Sequence, residues 1–308
     1  MSVGRMSVHR ERIRKACKSW RLYTMILPAV ITVFIFHYIP IYGVQIAFKD
    51  FRNALGIWGS PWVGFMYFNK FLSYPMFWAI IRNTITISLY SIATFPCSVI
   101  FALMLNELEN GAFKRTVQMV TYAPHFVSTV VVASMIILFL NRESGVINNV
   151  IALLGGERKD FMGMPGAFST IYVWSGVWQN LGWGTIIYIA ALSSISPEII
   201  EAAKIDGASR MQIVVRINLP SIFPTVITML ILSTGHVLSV GFEKTYLLQN
   251  SLNISASRVI STYVYEVGLI NTQYSYSSAI GLFNNVVNIL FIMIVNTVSR
   301  RLTQVGLW

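Results

Sequence analysis

The residue types that most often bind metals or act as acids, bases and nucleophiles are few in this chain and widely separated. No two of the histidines share a motif, since they stand at His9, His37, His125 and His236. The two cysteines, Cys17 and Cys97, form no CxxC pair. The sequence also has no HExxH motif, no nucleophile elbow and no GxxxxGKS/T loop to cradle phosphate. We therefore expect no catalytic residue, no metal site and no nucleotide site in this chain.

A different spacing, between residues 195 and 221, indicates a docking surface. Here the sequence predicts a short helix, a glycine break and a second helix. Ser196 can cap the first helix, Pro197 suits its first position, and Gly207 allows a turn without a side-chain clash. Alanines on the first helix permit close approach by another surface, and Pro220 marks entry into the next apolar run. The spaced positions are Glu201, Ala202, Ala203, Asp206, Gly207, Ala208, Ile217, Leu219 and Pro220.

The elements that must position this loop belong in a membrane. Hydrophobic residues make up 55% of the 308 residues and charged residues only 11%, whereas a soluble domain has about 25% charged residues. The net charge of +11 does not indicate a nucleic-acid partner, because the basic residues flank apolar runs. Seven of the 23 lysines and arginines lie in the first 21 residues, as expected for a cytoplasmic segment next to anionic lipid.

Six apolar runs are long enough to cross the hydrocarbon core as helices, which takes roughly 20 residues. The predicted spans are 23–48, 78–105, 116–141, 168–194, 222–243 and 276–299. They form one domain over 23–308, after a basic segment at 1–22. With the N-terminus inside, fourteen lysines and arginines fall in inside segments and eight fall outside. This distribution predicts that both termini and the loop at 195–221 are cytoplasmic.

The loop resembles the EAA loop of ABC importer permeases, in both order and spacing. The match runs through Glu201-Ala202-Ala203, Gly207 and Ile217-x-Leu219-Pro220, and its sugar-permease version also includes Asp206 and Ala208. Further stretches are similar to the polysaccharide-type permeases of the lipoprotein B (Lpl) group, at 38–50, 59–64, 113–118, 122–126, 182–188 and 306–308. The resemblance covers nearly the whole chain. It implies the all-α, six-helix transmembrane fold of a type I (MetI-like) importer, with a cytoplasmic coupling-helix loop.

The same resemblance implies a set of partners. They are a second, related permease chain that completes a heterodimer, a dimer of ATP-binding subunits, and an extracellular solute-binding lipoprotein. ATP and magnesium would bind in the ATPase, and this chain would bind no cofactor. The expected substrates are oligosaccharides or polysaccharide fragments, and the expected location is the bacterial cytoplasmic membrane.

Polar residues inside the last three spans are candidates for the substrate pathway, because polar groups at membrane depth usually face a cavity or a partner. In the fourth span these are Trp174, Trp178, Gln179, Asn180 and Trp183, which could bind sugar or form an interfacial aromatic belt. In the fifth they are His236 and Glu243, the latter alternatively solvated or paired with Lys244 or Arg258. In the sixth they are Asn284 and Asn288, for which hydrogen bonding between helices is the alternative.

Two other functions remain open from the residues. One is an integral-membrane enzyme that acts on lipid-linked glycans, which would need a cluster of carboxylates, histidines or metal ligands at one interface. The other is a permease of the same fold for peptides or amino acids. The aromatic-rich spans and the chain-wide resemblance favour a sugar permease.

Overall fold

The computed structural model describes residues 20–109, 111–235, 240–303 and 306. Most of the basic N-terminal segment therefore lies outside the described residues, and so does His236, one of the predicted pathway residues. The described chain is helical, and the β contact found in it is an isolated bridge between Lys49 and Trp62.

The longer helices define the architecture and are labelled here in chain order. They are α1 (Trp20–Phe48), α2 (Phe77–Glu107), α3 (Ala112–Phe126), α4 (Thr129–Leu140), α5 (Val146–Leu153), α6 (Pro165–Ser193), α7 (Pro197–Ile205), α8 (Arg210–Thr234), α9 (Phe242–Leu248), α10 (Ile260–Ile270) and α11 (Tyr274–Thr303). Shorter helical segments lie at Gly56–Gly59, Met66–Leu72, Phe161–Gly163 and Ile254–Ser257.

The helices long and apolar enough to cross a membrane on their own are α1, α2, α8 and α11. Two bent pairs meet the same criterion when each pair counts as one span, namely α3 with α4 and α6 with α7. By length and composition, the described residues thus contain between 4 and 6 spans. This agrees with the predicted all-α membrane architecture.

The predicted span at 116–141 differs from the structure, because α3 and α4 meet at an angle of 102°. α3 ends in a tight turn that contains Pro124, and Val127 and Ser128 are extended before α4 begins. The Ser128 hydroxyl caps α4, and the Gln179 side chain of α6 donates to the Val127 carbonyl at 3.0 Å. The chain can break at this point because neighbouring groups satisfy its free backbone atoms.

Two of the prolines inside the long helices come shortly after π-helical stretches. Phe34–Tyr38 precedes Pro40 in α1, and Val214–Asn218 precedes Pro220 in α8. A wider turn helps a helix continue where proline offers no N–H. Pro220 therefore does not begin a helix, since α8 already begins at Arg210, and its place at the entry to the fifth span stays a prediction.

The fifth span also ends earlier than predicted. α8 ends at Thr234, residues 236–239 lie outside the described chain, and Glu243 belongs to the separate helix α9. The apolar run in the sequence continues past this end, so hydropathy alone places the boundary too late.

Two clusters of buried side chains fix the positions of the elements discussed below. One joins α2, α6 and α8 through Val99, Leu192 and Ile222. The other joins α2, α6 and the segment before α9 through Ile87, Phe168 and Val240. By contrast, the most apolar window of α1 is 0% buried against the rest of the described chain. Its side chains are therefore available to lipid or to another chain.

Candidate functional sites

The loop between α6 and α8 folds as the predicted helix, glycine turn and second helix. α7 leaves α6 at a bend of 74° and contains no buried residue. Gly207 has φ +79°, a left-handed conformation that glycine adopts without strain. The N–H groups of Gly207 and Ala208 donate to the carbonyls of Lys204 and Ala203 at 3.1 and 2.9 Å. This is the Schellman pattern, which ends a helix and fixes the direction of the chain after it.

The two helices of the loop begin differently, since only the second has a side-chain cap. Ser196 occupies the N-cap position of α7 and Pro197 follows at the first position, but the Ser196 side chain accepts no hydrogen bond there. The predicted side-chain cap at Ser196 is therefore wrong. The cap forms instead at α8, where Ser209 N–H donates to Gln212 Oε1 at 2.7 Å and Gln212 N–H donates to Ser209 Oγ at 3.4 Å. This reciprocal pair is a capping box, which the sequence analysis missed.

The two halves of the loop differ in exposure. Glu201, Ala202 and Asp206 are exposed, and Ile205 is 86% exposed although it is apolar. In the second half, Leu219 packs against the buried cluster that contains Leu192. The loop thus presents a free helical surface while its other end is fixed in the core of the helices.

A cavity of about 400 Å³ lies among α2, α6, the end of α8 and the start of α9. Its polar lining consists of Ser88, Ser91, Thr94, Ser98, Tyr172, Gln179, Asn180, Ser233 and Lys244. A volume of this size falls in the usual range for small-molecule sites. The lining offers hydroxyls, amides and one ammonium, which suits a hydroxyl-rich ligand better than an apolar one.

The structure divides the predicted residues of the fourth span. Gln179 and Asn180 line the cavity, whereas Trp174, Trp178 and Trp183 do not. These tryptophans are 50%, 48% and 44% exposed. Their exposure fits an interfacial belt and a wall shared with a second chain equally, so both alternatives stay predictions.

Asn180 also belongs to a small ordered group with His125 and Trp183. His125 Nδ1 and Asn180 Oδ1 are 2.9 Å apart, and the His125 ring stacks on Trp183 with centroids 4.4 Å apart. The imidazole thereby joins the turn at the end of α3 to α6. The hydrogen bond and the stacked ring give His125 a structural role at this junction.

The other pathway candidates lie elsewhere. Glu243 is exposed and forms no ion pair with Lys244 or Arg258, and Arg258 instead pairs with Glu266. Asn284 and Asn288 of α11 do not line the cavity. Asn288 is 7% exposed and is not without an interaction partner, so its role as a pathway residue or in bonding between helices stays a prediction.

Sequence reasoning missed the α2 side of the cavity and Lys244. Ser88, Ser91 and Ser98 are spaced by three and seven residues, so they share one face of a helix. That spacing was a readable signal within an apolar span. The sequence around Lys244 contains no such spacing. Its burial becomes visible only in the structure, where it packs against α6.

Comparison with known proteins identifies the family. Residues 94–304 match the family described as the inner membrane component of binding-protein-dependent transport systems. The chain belongs to this family. It is therefore a membrane permease, a transport component without catalysis of its own, and the hypothesis of a glycan-modifying enzyme finds no support.

Relatives of this permease share most of its length. It is 42% identical to Protein LplB of Bacillus subtilis over 93% of this chain and 91% of LplB. It is 38% identical to the polygalacturonan/rhamnogalacturonan transport system permease protein YteP of Bacillus subtilis, over 93% of this chain and 90% of YteP.

The permease also resembles a chain in the crystal structure of a bacterial alginate ABC transporter in complex with an alginate pentasaccharide-bound periplasmic protein. The TM-score is 0.87 at 38% identity, over 96% of this chain and 99% of that chain. This likeness confirms the predicted type I ABC importer fold.

Proposed function

We propose that this permease is one of two transmembrane subunits of an ATP-driven importer for oligosaccharides or polysaccharide fragments. The observation that supports this most directly is the exposed helix α7, held by its glycine turn at the EAA spacing. Such a rigid, uncovered element is what an ATPase subunit needs in order to push on the membrane helices. The sugar class is inferred from the names of the relatives and from the polar cavity.

In this proposal the loop at 195–221 faces the cytoplasm, and both termini lie on the same side. ATP and magnesium bind in a separate ATPase dimer, and closure of that dimer moves α7. Because Leu219 is packed into the core that joins α8 to α2 and α6, the movement of the loop reaches the walls of the cavity. A solute-binding lipoprotein delivers the sugar from outside, and the second permease chain supplies the other half of the pathway.

Reconstitution of the whole complex in proteoliposomes tests this function. We expect ATP-dependent uptake of an oligosaccharide, and ATP hydrolysis that rises when the loaded binding protein is added. Proteoliposomes without the binding protein, and others without ATP, are the controls. Import of peptides or amino acids in place of sugars would contradict the sugar assignment and favour the alternative permease class. Absence of binding-protein-dependent ATP hydrolysis with every solute would contradict the importer assignment itself.

A further inference from the structure

Lys244 is the charged side chain in the cavity lining, and the described lining contains no aspartate or glutamate. The side chain is almost fully buried, with the residue 8% exposed. Its amino group lies close to Gly176, where an added Cβ would be 3.4 Å from Nζ. Gly176 is about three turns into α6, so the ammonium lies at membrane depth. A cation at that depth is costly unless something pairs with it.

Within the described residues, the Lys244 ammonium has one hydrogen bond and one aromatic contact but no ion pair. Nζ donates to the Tyr172 carbonyl at 2.9 Å and lies 4.9 Å from the centroid of the Tyr172 ring. The ion pairs found among the described residues are Arg52 with Asp50 and Arg258 with Glu266, so no described carboxylate neutralises Lys244. An ammonium has three N–H donors. Two of them therefore have no acceptor among the described residues, and the cavity is the open space beside them.

The groups around Lys244 are those that bind an acidic sugar. Ser88 and Ser91 present hydroxyls, and Gln179 and Asn180 present amides, to the same cavity. Hydroxyls and amides suit the hydroxyls of a sugar, while an ammonium forms its strongest hydrogen bonds with a carboxylate. We propose that Lys244 binds the carboxylate of a uronate-containing oligosaccharide as it passes through the cavity. This inference rests on the proposed sugar-permease function and narrows its substrate class.

The chemistry of lysine fits a transport step. A lysine is a compact charge on a flexible stem, whereas an arginine holds a carboxylate in a fixed two-pronged geometry. A flexible point charge can attract an acidic sugar and still release it. The names of two similar proteins refer to acidic polymers, polygalacturonan in one and the acidic polysaccharide alginate in the other.

Direct binding to the solubilised complex, without its binding protein, tests the inference. The probes are tetragalacturonate and its methyl ester, which has the same backbone without the charges, and calorimetry measures both affinities. We expect the wild-type complex to bind the free acid about tenfold or more tightly than the ester, because charge-assisted hydrogen bonds are the strong ones. Lys244→Met should abolish this preference, and Lys244→Arg should keep most of it.

Lys70→Met is the matched control, because Lys70 also lies over a tyrosine ring, at 4.5 Å from the Tyr276 centroid, but outside the cavity. It should keep the full preference for the acid. Equal affinities of the wild type for acid and ester would overturn the inference, as would an unchanged preference in Lys244→Met. An equal loss of affinity for both probes in Lys244→Met would also overturn it. That result would indicate that Lys244 pairs with a carboxylate of the partner permease and not with the substrate. If Lys244→Met does not assemble, Lys244→Gln, which keeps a long polar side chain without the charge, takes its place and should likewise lose the preference.

The two proposals fail in different ways. A complex that imports sugar in proteoliposomes but shows no preference for the acid keeps the permease function and loses the role of Lys244. A complex that imports no sugar at all loses both.

Discussion

Gly207→Val should lower the stimulation of ATP hydrolysis by the loaded binding protein about tenfold or more, while the protein still inserts in the membrane. The cause is the backbone at Gly207, where φ is +79°. A left-handed conformation costs a non-glycine residue about 1–2 kcal/mol, and more when the side chain is β-branched. The Schellman turn would open, and α7 would no longer be held at its angle to the membrane helices.

Gly155→Val is the matched control for this experiment. Gly155 has φ +81°, and like Gly207 it has open space where a Cβ would stand. It follows α5, in a segment that the proposed topology places outside. The same backbone strain should therefore leave the stimulation of ATP hydrolysis unchanged. Equal losses in the two variants would show that strain in general, and not the coupling turn, causes the effect.

Glu201 extends the same test to the docking surface. Its side chain is exposed, so Glu201→Ala should affect docking without disturbing the fold. We expect lower stimulation of ATP hydrolysis at an unchanged melting temperature. Full stimulation in both Glu201→Ala and Gly207→Val would remove this loop from the coupling mechanism.

Gly182→Ala should prevent stable assembly or lower the melting temperature of the complex by several degrees. A Cβ at Gly182 would lie 2.3 Å from the Thr121 carbonyl oxygen and 2.7 Å from the Tyr122 ring. The first contact involves backbone, which cannot turn aside as a side chain can, so α3 must move away from α6. Overpacking of this kind costs about 1–3 kcal/mol and sometimes more.

Gly166→Ala is the control on the same helix. Gly166 has nothing within 4 Å of the added Cβ, and alanine is the better helix former by about 0.5–1 kcal/mol. Thermal unfolding, followed by fluorescence on the purified complex, should show Gly166→Ala equal to the wild type or slightly more stable. Equal melting temperatures for Gly182→Ala and the wild type would contradict the close packing of α3 on α6.

The coupling loop could be predicted from the sequence because its signals act locally. Pro197 begins a helix and Gly207 ends it, each through the conformation of its own backbone. The long apolar runs were likewise sufficient to place most of the membrane helices. The three-residue spacing of Ser209 and Gln212, which forms the capping box, is a local signal of the same kind.

The rest depends on contacts between distant segments. Hydropathy reports how apolar a run is and not its direction, so the break before α4 was invisible, although Pro124 and Ser128 stood on either side of the bend. The cavity joins α2, α6 and α9, and the burial of Lys244 arises only when α9 packs on Tyr172. Pro220 lies within α8 because a π-helical stretch precedes it, and the start of that helix at Arg210 could not be read from the proline alone.

Photo-crosslinking from two equally exposed side chains tests the central claim, that α7 is the cytoplasmic docking surface for an ATPase. Ile205 at the end of α7 and Leu153 at the end of α5 are each 86% exposed, and α6 separates the two. A photoreactive residue at position 205 should form a crosslink to the ATPase subunit in membranes, and the same residue at position 153 should form none. A crosslink to the ATPase from position 153, or none from position 205 in an assembled complex, would contradict the account.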